Sequence, residues 1–246
     1  SSVARPAYFE LVPTVPPSTG GSAVRGNPGL KHTTANNLDL RYELFPKADE
    51  QFFAGVYYKK LTNPIEYSYG GNSGANSIYQ PVNSNAATVA GFELAYTRYF
   101  GNIGFSGNYA YNYSDVAGQK VDRLNPAVDG HPNLVIEHRM LTGASVHDLN
   151  ASLLYRNRKA GFNAQLAYQF LGKTLVGIYP DNGDNYIQQP LSTLAFSADK
   201  AIGKHFTVFT KLNNLLNTHT TVVLHNFQNG NEVTRATYLL GLRYNY

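Results

Sequence analysis

The stretch RATYLLGLRYNY, residues Arg235 to Tyr246, lies at the carboxyl end of the sequence and has a large apolar residue at every second position from Tyr238 onward. Its large apolar residues are Tyr238, Leu240, Leu242, Tyr244 and Tyr246, and the residues between them are mostly polar. A period of two predicts a β-strand with unlike faces, and aromatic rings on the apolar face suit contact with lipid. Alternation alone is also typical of the last strand of a soluble β-sandwich, so the remainder of the sequence has to separate the two.

The amino-acid composition helps to distinguish a membrane protein from a soluble β-sandwich. The 246 residues include 19 Tyr, no Trp and no Cys, and only 15% are charged. Tyrosine rings collect at membrane–water interfaces, and the absence of Cys excludes a disulfide framework or a thiolate metal site. No run approaches the roughly 18 consecutive apolar residues of a membrane-spanning helix. The formal charge of +4 comes from scattered residues, so nucleic acid is not an expected partner.

Upstream of the closing strand, the sequence predicts pairs of strands joined alternately by short turns and long loops. A partial strand is predicted at 1–8 and full strands at 37–45, 51–61, 92–97, 103–114, 149–156, 162–170, 194–198 and 206–212. Short turns are predicted at 46–50, 101–102, 159–161 and 203–204, and long loops at 14–31, 70–87, 115–145, 180–190 and 227–233. Including the last strand, this amounts to about nine full strands and a partial one.

The alternation of short and long connections is typical of transmembrane β-barrels, which have short periplasmic turns and long extracellular loops. Polar residues on the second face of each strand are costly in a dry core but are satisfied in a wet lumen. We therefore predict an all-β fold, a transmembrane antiparallel β-barrel, closed because lipid leaves sheet edges unsatisfied. Asp39, Arg41, Glu43 and Glu93 are predicted to face the lumen.

Several motifs, in their order and spacing, resemble the barrel of TonB-dependent receptors of the Bacteroidetes type. They are Ala4-Arg5-Pro6 with Tyr8, Leu11 and Pro13; Gly26-Asn27-Pro28 with Leu30-Lys31; Asn37-Leu38-Asp39-Leu40; Tyr58-Lys59-Lys60 with Asn63-Pro64-Ile65-Glu66; and Leu212-Asn213-Asn214-Leu215-Leu216-Asn217. The final strand, which ends on an aromatic residue, also resembles the assembly signal of bacterial outer-membrane barrels.

The resemblance implies that residues 1–246 form about ten carboxy-terminal strands of a 22-stranded barrel in the bacterial outer membrane, with the plug domain absent from this chain. It implies active import of a siderophore, haem, a vitamin, an oligosaccharide or a peptide. The implied partners are outer-membrane lipid, the missing amino-terminal barrel and plug, the TonB complex acting through the plug, the barrel assembly machinery, and a surface lipoprotein as a further candidate.

Candidate ligand contacts fall in two predicted loops. Arg123, His131, Glu137, His138 and Arg139 lie in the longest one, and Asp181, Asp184 and Tyr186 in the next. Tyr67, Tyr69, Tyr79 and Tyr179 are further candidates for stacking on a ligand. The alternative, that these are solvated loop residues, stays open. The run at 181–185 has oxygen ligands but lacks the spacing of a calcium loop, and no metal or cofactor is expected.

Two other functions remain as alternatives: a passive porin and a ten-stranded outer-membrane protease. His147 and Asp148 are adjacent in a predicted strand and suggest the protease. Adjacent strand residues point to opposite faces, however, so these two side chains cannot line one active site. The sequence therefore predicts a protein that is not an enzyme.

Overall fold

The computed structural model describes residues 1–13, 23–70, 78–122, 127–128, 131–179, 184–224, 227–232 and 234–244. This part of the chain contains one short helix, α1 (Tyr8–Leu11), and twenty strands. The first ten are β1 (Ser2–Ala4), β2 (Ala23–Val24), β3 (Thr33–Lys47), β4 (Glu50–Thr62), β5 (Ile65–Gly70), β6 (Ile78–Asn83), β7 (Ala86–Phe100), β8 (Ile103–Val121), β9 (Ala127–Val128) and β10 (His131–Pro132). The other ten are β11 (Leu134–Arg139), β12 (His147–Asn157), β13 (Phe162–Leu171), β14 (Thr174–Gly177), β15 (Tyr186–Gln188), β16 (Leu191–Ile202), β17 (Phe206–Asn213), β18 (Thr220–Leu224), β19 (Phe227–Glu232) and β20 (Thr237–Tyr244). Across the described ranges, no helix combines the length and the apolar character needed to cross a bilayer.

The long strands form one antiparallel sheet, which we name the wall sheet. Its order is β1-β3-β4-β7-β8-β12-β13-β16-β17-β20, and β11 pairs with the far part of β8. Apart from the three-residue β1, the nine strands on this path are long and follow one another in chain order. The predicted all-β, antiparallel architecture of about nine full strands and a partial one is confirmed.

Connections between neighbouring wall strands alternate as predicted. Two to four residues join β3 to β4, β7 to β8, β12 to β13 and β16 to β17, and we name the end where they lie the turn end. Gly101, Gly161 and Gly203 have φ angles of 64°, 58° and 62°, in the left-handed region that glycine adopts without a steric penalty. The connections at the opposite end, which we name the long-loop end, are roughly ten times as long.

Alternation gives the wall sheet an apolar face and a polar face. In β20 the apolar face carries Tyr238, Leu240, Leu242 and Tyr244, opposite Leu212, Thr210, Val208 and Phe206 of β17. The four β20 side chains are exposed, Leu240 by 77%, and so is Leu38 of β3, by 72%. An apolar face this exposed is what lipid contact requires. Tyr246 lies outside the described residues.

The polar face holds the charges predicted for it. Asp39, Arg41 and Glu43 alternate with the apolar residues of β3 and therefore lie on the polar face. Arg41 forms an ion pair with Glu43, and its guanidinium stacks over the ring of Phe53 at 4.3 Å from the ring centroid. Glu93 lies on the corresponding face of β7. The predicted separation of charged and apolar residues across the sheet is therefore observed.

The long connections differ from the prediction, because they contain strands of their own. The predicted loop at 115–145 is wrong in part: β8 continues to Val121, and β11 pairs along it from Leu134 to Arg139. Likewise β6 lies within 70–87, β15 within 180–190 and β19 within 227–233. Connections of this length would leave many backbone groups without partners, and pairing satisfies them.

Two small sheets built from these connections form a second layer, which we name the inner layer. One has the order β2-β6-β5 and the other β14-β15-β18-β19. A parallel bridge between Ser68 and Ile178 joins them, and the amide of Ile178 donates to the carbonyl of Tyr67 at 3.3 Å. The most buried apolar residues of the described chain are Leu175 and Ile178 of this region and Val116 and Ala87 of the wall. Since Val116 and Ala87 pair on the polar face near the long-loop end, the packed core lies there.

Candidate functional site

The inner layer is attached to the wall through a segment that leaves the sheet. Strand β8 pairs with β12 up to Tyr111 and with β11 from Val116 onward, and residues 140–146 between these two strands lie outside the regular pairing with β8. The amide of Gly143 donates to the carbonyl of Leu175 at 2.8 Å, and that of Val146 to the carbonyl of Lys173 at 3.2 Å. We name residues 140–146 the connecting segment.

A buried ion pair fixes the β5–β6 hairpin to this region. Both terminal guanidinium nitrogens of Arg139 donate to the carboxylate of Glu66, each at 2.8 Å. Ser84 and the amide of Thr142 donate to the same carboxylate, the amide at 2.9 Å. The side chains of Arg139 and Glu66 are 7% and 0% exposed. Four donors on one buried carboxylate therefore connect the hairpin, strand β11 and the connecting segment.

The titration of Glu66 reflects these contacts. Burial by itself raises the pKa of the carboxyl group because it disfavours the charged form. The hydrogen bonds and charge of Arg139, with those of Ser84 and Thr142, outweigh burial and lower the pKa of Glu66 below its ordinary value. Glu66 is therefore a carboxylate at neutral pH, as the ion pair requires.

The structure brings together residues from the two predicted ligand loops. Glu137, on the polar face of β11, accepts from Lys120 at 3.1 Å and from the side-chain amide of Asn185 at 3.0 Å. Asn185 also accepts from the amide of Tyr179 at 3.1 Å, and the rings of Tyr179 and Tyr186 lie 6.4 Å apart. Asp184, half-buried, precedes Asn185. Glu137, Asp184, Asn185, Tyr179 and Tyr186 thus form one polar and aromatic surface. We name it the ligand-facing cluster after the ligand contact that the sequence predicts for Glu137, Asp184 and Tyr186.

Other predicted residues lie elsewhere. His138 is on the opposite face of β11, 65% exposed, with Nδ1 3.0 Å from Asp115. His131 is exposed on β10. Arg123 and Asp181 lie outside the described residues. The placement of Glu137, His138 and Arg139 in a loop was wrong, because all three are in β11, and Arg139 is not a solvated residue.

Two tyrosines proposed for stacking on a ligand join strands of the inner layer instead. Tyr67 and Tyr79 stack with ring centroids 4.9 Å apart. The hydroxyl of Tyr67 donates to Glu10 at 3.0 Å and that of Tyr79 to the carbonyl of Val176 at 3.3 Å. Burial, together with the Glu10 carboxylate, raises the pKa of Tyr67 to about 12. The side chain of Tyr69 lies outside the described part.

Below the inner layer, the polar face carries a second hydrogen-bonded group. Tyr57 donates to the side chain of Asn112, which donates in turn to the carbonyl of Ser145 at 2.9 Å and to Asp148 at 3.4 Å. His147 lies on the other face, with Nδ1 2.8 Å from the hydroxyl of Tyr109. The predicted separation of His147 from Asp148 is thus observed.

The ring of Tyr57 occupies the space in which a side chain at Gly91 would lie. A Cβ at Gly91 would be 2.5 Å from the Tyr57 hydroxyl oxygen and still closer to the backbone of Tyr111. We expect Gly91→Ala to lower the free energy of unfolding by about 1–3 kcal/mol. The measurement is denaturant unfolding of the full-length protein in detergent.

The matched control for this substitution is Gly118→Ala, which lies on the same polar face but in the neighbouring strand β8. A Cβ there makes only an ordinary contact, 3.7 Å from Arg139. It should be neutral or slightly stabilising, since alanine restricts the unfolded chain. Equal stability of the two variants would contradict the packing of Tyr57 over Gly91.

Two functional residues were missed by sequence reasoning, Glu66 and Asn185. Glu66 is a single acidic residue among Ile65, Tyr67 and Tyr69, and a lone charge in a strand of large residues was the available signal that it had a partner. Asn185 belongs to the 181–185 run, whose oxygen-bearing residues and glycine suggested only a comparison with calcium loops. Nothing in the sequence indicated that it contacts Glu137.

The family described as TonB dependent receptor-like, beta-barrel matches residues 1–215. The copper transporter OprC has a TM-score of 0.65 at 16% identity over 99% of this chain and 36% of its own. The ferric enterobactin receptor PfeA of Pseudomonas aeruginosa, as a Q482A mutant in complex with enterobactin, has a TM-score of 0.61 at 18% identity over 99% of this chain and 37% of its own. The iron transporter FrpB of Neisseria meningitidis, F3-3 variant, has a TM-score of 0.57 at 15% identity over 88% of this chain and 31% of its own. The chain thus spans about a third of each solved structure. No curated protein sequence is significantly similar to it.

Proposed function

Because this chain belongs to the family of TonB-dependent receptor-like β-barrels, we propose that it forms part of the wall and the ligand-facing inner layer of an active importer. The family is located in the bacterial outer membrane, and its solved relatives are transporters and receptors, so the chain is a transmembrane barrel segment and not an enzyme. Import by the whole protein is the proposal.

The observation that carries the proposal is the convergence of two separate long connections on Glu137. A receptor needs ordered polar and aromatic groups to hold its ligand before import, and side chains from two connections supply them here. We assign ligand contact to the ligand-facing cluster and retain His131, His138, Arg123 and Asp181 as further candidates. Arg139 holds the layer in place through Glu66.

The remaining parts of the transporter follow from the family. At its edges the wall sheet has β20 and the pair β1 and β3, and sheet edges in lipid must be paired. We propose that a missing amino-terminal barrel half of the same receptor pairs with them, giving 22 strands, and that a plug in the lumen transmits force from the TonB complex. The barrel assembly machinery, through β20, and a surface lipoprotein complete the proposed partners.

The test is energised uptake by cells that produce the full-length protein. A panel of ferric siderophores, haem, cobalamin, oligosaccharides and peptides is offered to cells with and without a functional TonB complex. We expect uptake of one ligand class to require TonB, and Tyr186→Ala to weaken binding of that ligand by about tenfold. The matched control is Tyr58→Ala, on the apolar face. Uptake that persists without TonB would show a passive pore and overturn the proposal.

A further inference from the structure

The turn end of the wall sheet is rich in positive charge. Arg98, Lys159, Lys200 and Lys204 lie in or beside the short turns, and we name these four residues the basic rim. Lys200 is opposite Val208 and Arg98 is opposite Phe105, so both belong to the apolar face. Lys159 and Lys204 are exposed in the turns themselves.

Aromatic and aliphatic residues mark the level of the membrane boundary next to the rim. The apolar face at the turn end exposes Phe100, Tyr155, Ile202, Phe206 and Tyr244. Such a girdle lies at the junction between the hydrocarbon and the headgroups. Because lysine and arginine extend from the hydrocarbon edge into the polar region, the charges of the rim lie at the depth of the headgroup phosphates. The guanidinium of Arg98 stacks over the ring of Phe100 at 4.5 Å, which fixes it at this level.

Among the described residues, Arg98 is the one member of the basic rim that has a carboxylate partner. Glu50 accepts from Arg98 at 3.3 Å, and Asp199 is on the polar face, where it accepts from Asn163 at 2.9 Å. Among the residues that the structure describes, Lys159 and Lys204 have no carboxylate partner. Lys200 donates to the carbonyl of Ala160, a contact that leaves its charge uncompensated.

We propose that the basic rim binds the phosphate groups of anionic phospholipids in the leaflet at the turn end. The chemistry is charge complementarity at a fixed depth: several uncompensated ammonium groups and one stacked guanidinium next to an aromatic girdle. Each lysine close to an anionic membrane surface contributes about a fivefold preference. This interaction does not depend on the imported ligand, so it stands or falls separately from transport.

The experiment uses the full-length protein in bilayer nanodiscs of equal phosphatidylglycerol and phosphatidylcholine, with native mass spectrometry of the lipids that remain bound after release into detergent. The unmodified protein should retain phosphatidylglycerol preferentially. The variant Lys159→Gln, Lys200→Gln, Lys204→Gln should lose at least tenfold of that preference, given about fivefold per lysine. High salt should reduce the preference of the unmodified protein.

The matched control changes the same number of charges at the long-loop end, away from the apolar face: Lys31→Gln, Lys59→Gln, Lys173→Gln. It should retain phosphatidylglycerol like the unmodified protein. An equal loss in both triple variants would indicate a general effect of net charge and overturn the proposal, as would an undiminished preference in the rim variant or none in the unmodified protein. If the rim variant does not fold, as judged by heat-modifiable gel mobility, Lys204→Gln alone is measured, with about a fivefold loss expected.

Discussion

Replacement of Arg139 by methionine is expected to release the β5–β6 hairpin from the wall and to lower the free energy of its local opening by about 3–5 kcal/mol. The substitution leaves the Glu66 carboxylate, whose side chain is 0% exposed, without its ion-pair partner. An uncompensated buried charge costs far more than a lost surface contact. The measurement is hydrogen exchange of the amides of β5 and β6 in the full-length protein, where protection should fall by at least about a hundredfold.

Two further variants test whether charge burial is the cause. Arg41→Met breaks the Arg41–Glu43 pair, whose side chains are 66% and 40% exposed, and should change stability by no more than about 1 kcal/mol. Glu66→Leu combined with Arg139→Met removes both charges and should recover part of the loss. If the double variant is no better than Arg139→Met, the ion pair is not the main contribution and the hydrogen bonds to Ser84 and Thr142 become the explanation.

The same contact gives a pH dependence. The folded-state pKa of Glu66 is lowered from its ordinary value of 4.5, so the stabilisation is fully present above that value and is lost as the pH falls through the folded-state pKa. Hairpin protection, corrected for intrinsic exchange, should be constant near neutral pH and fall in acid. Amides of β12 and β13, away from Glu66, provide the internal reference.

The attachment of the inner layer to the wall affects the proposed ligand contact. Glu137 is bonded to Lys120 and Asn185, and Arg139 to Glu66, so these charges in and beside the ligand-facing cluster are already paired. A ligand that binds there has to rely on the remaining hydrogen-bonding capacity of these groups and on the Tyr179–Tyr186 pair. Loss of the hairpin anchor should therefore weaken ligand binding indirectly, through the geometry of the layer.

The wall sheet was predictable because its signal is local. Whether Leu240 or Leu239 faces lipid depends only on the parity of its position in the strand, and the turns at Gly101, Gly161 and Gly203 carry glycine where the backbone needs it. Face assignment, turn positions and the order of short and long connections could all be inferred without knowing which strands pair.

The inner layer was not predictable for the opposite reason. Glu66 and Arg139 are 73 residues apart, and Glu137 and Asn185 are 48 apart, so no local pattern relates them. Strand β15 has only three residues, and it pairs with β14 and with β18, which is distant along the chain. Short strands of this kind carry too few residues for their alternation to be distinguished from that of a loop.

Substitution of Leu240 by arginine is expected to destabilise the barrel by about 2–4 kcal/mol and to reduce its assembly in the outer membrane. Leu240 is 77% exposed on the apolar face, between Tyr238 and Tyr244, where a charge has to enter the hydrocarbon. The measurement is the heat-modifiable fraction of the full-length protein in outer-membrane preparations, with urea unfolding of the material that folds.

Leu239→Arg is the matched control, because it places the same charge one residue away on the polar face. Leu239 lies opposite Lys211, so repulsion between like charges should cost no more than about 1 kcal/mol. A difference between the two variants would follow from face alone, since position in the chain and chemistry are otherwise shared. Equal defects would mean that assembly depends on the whole sequence of β20 and not on its lipid-facing residues. The proposed role in assembly of those residues would then be wrong; they are Tyr238, Leu240, Leu242, Tyr244 and Tyr246.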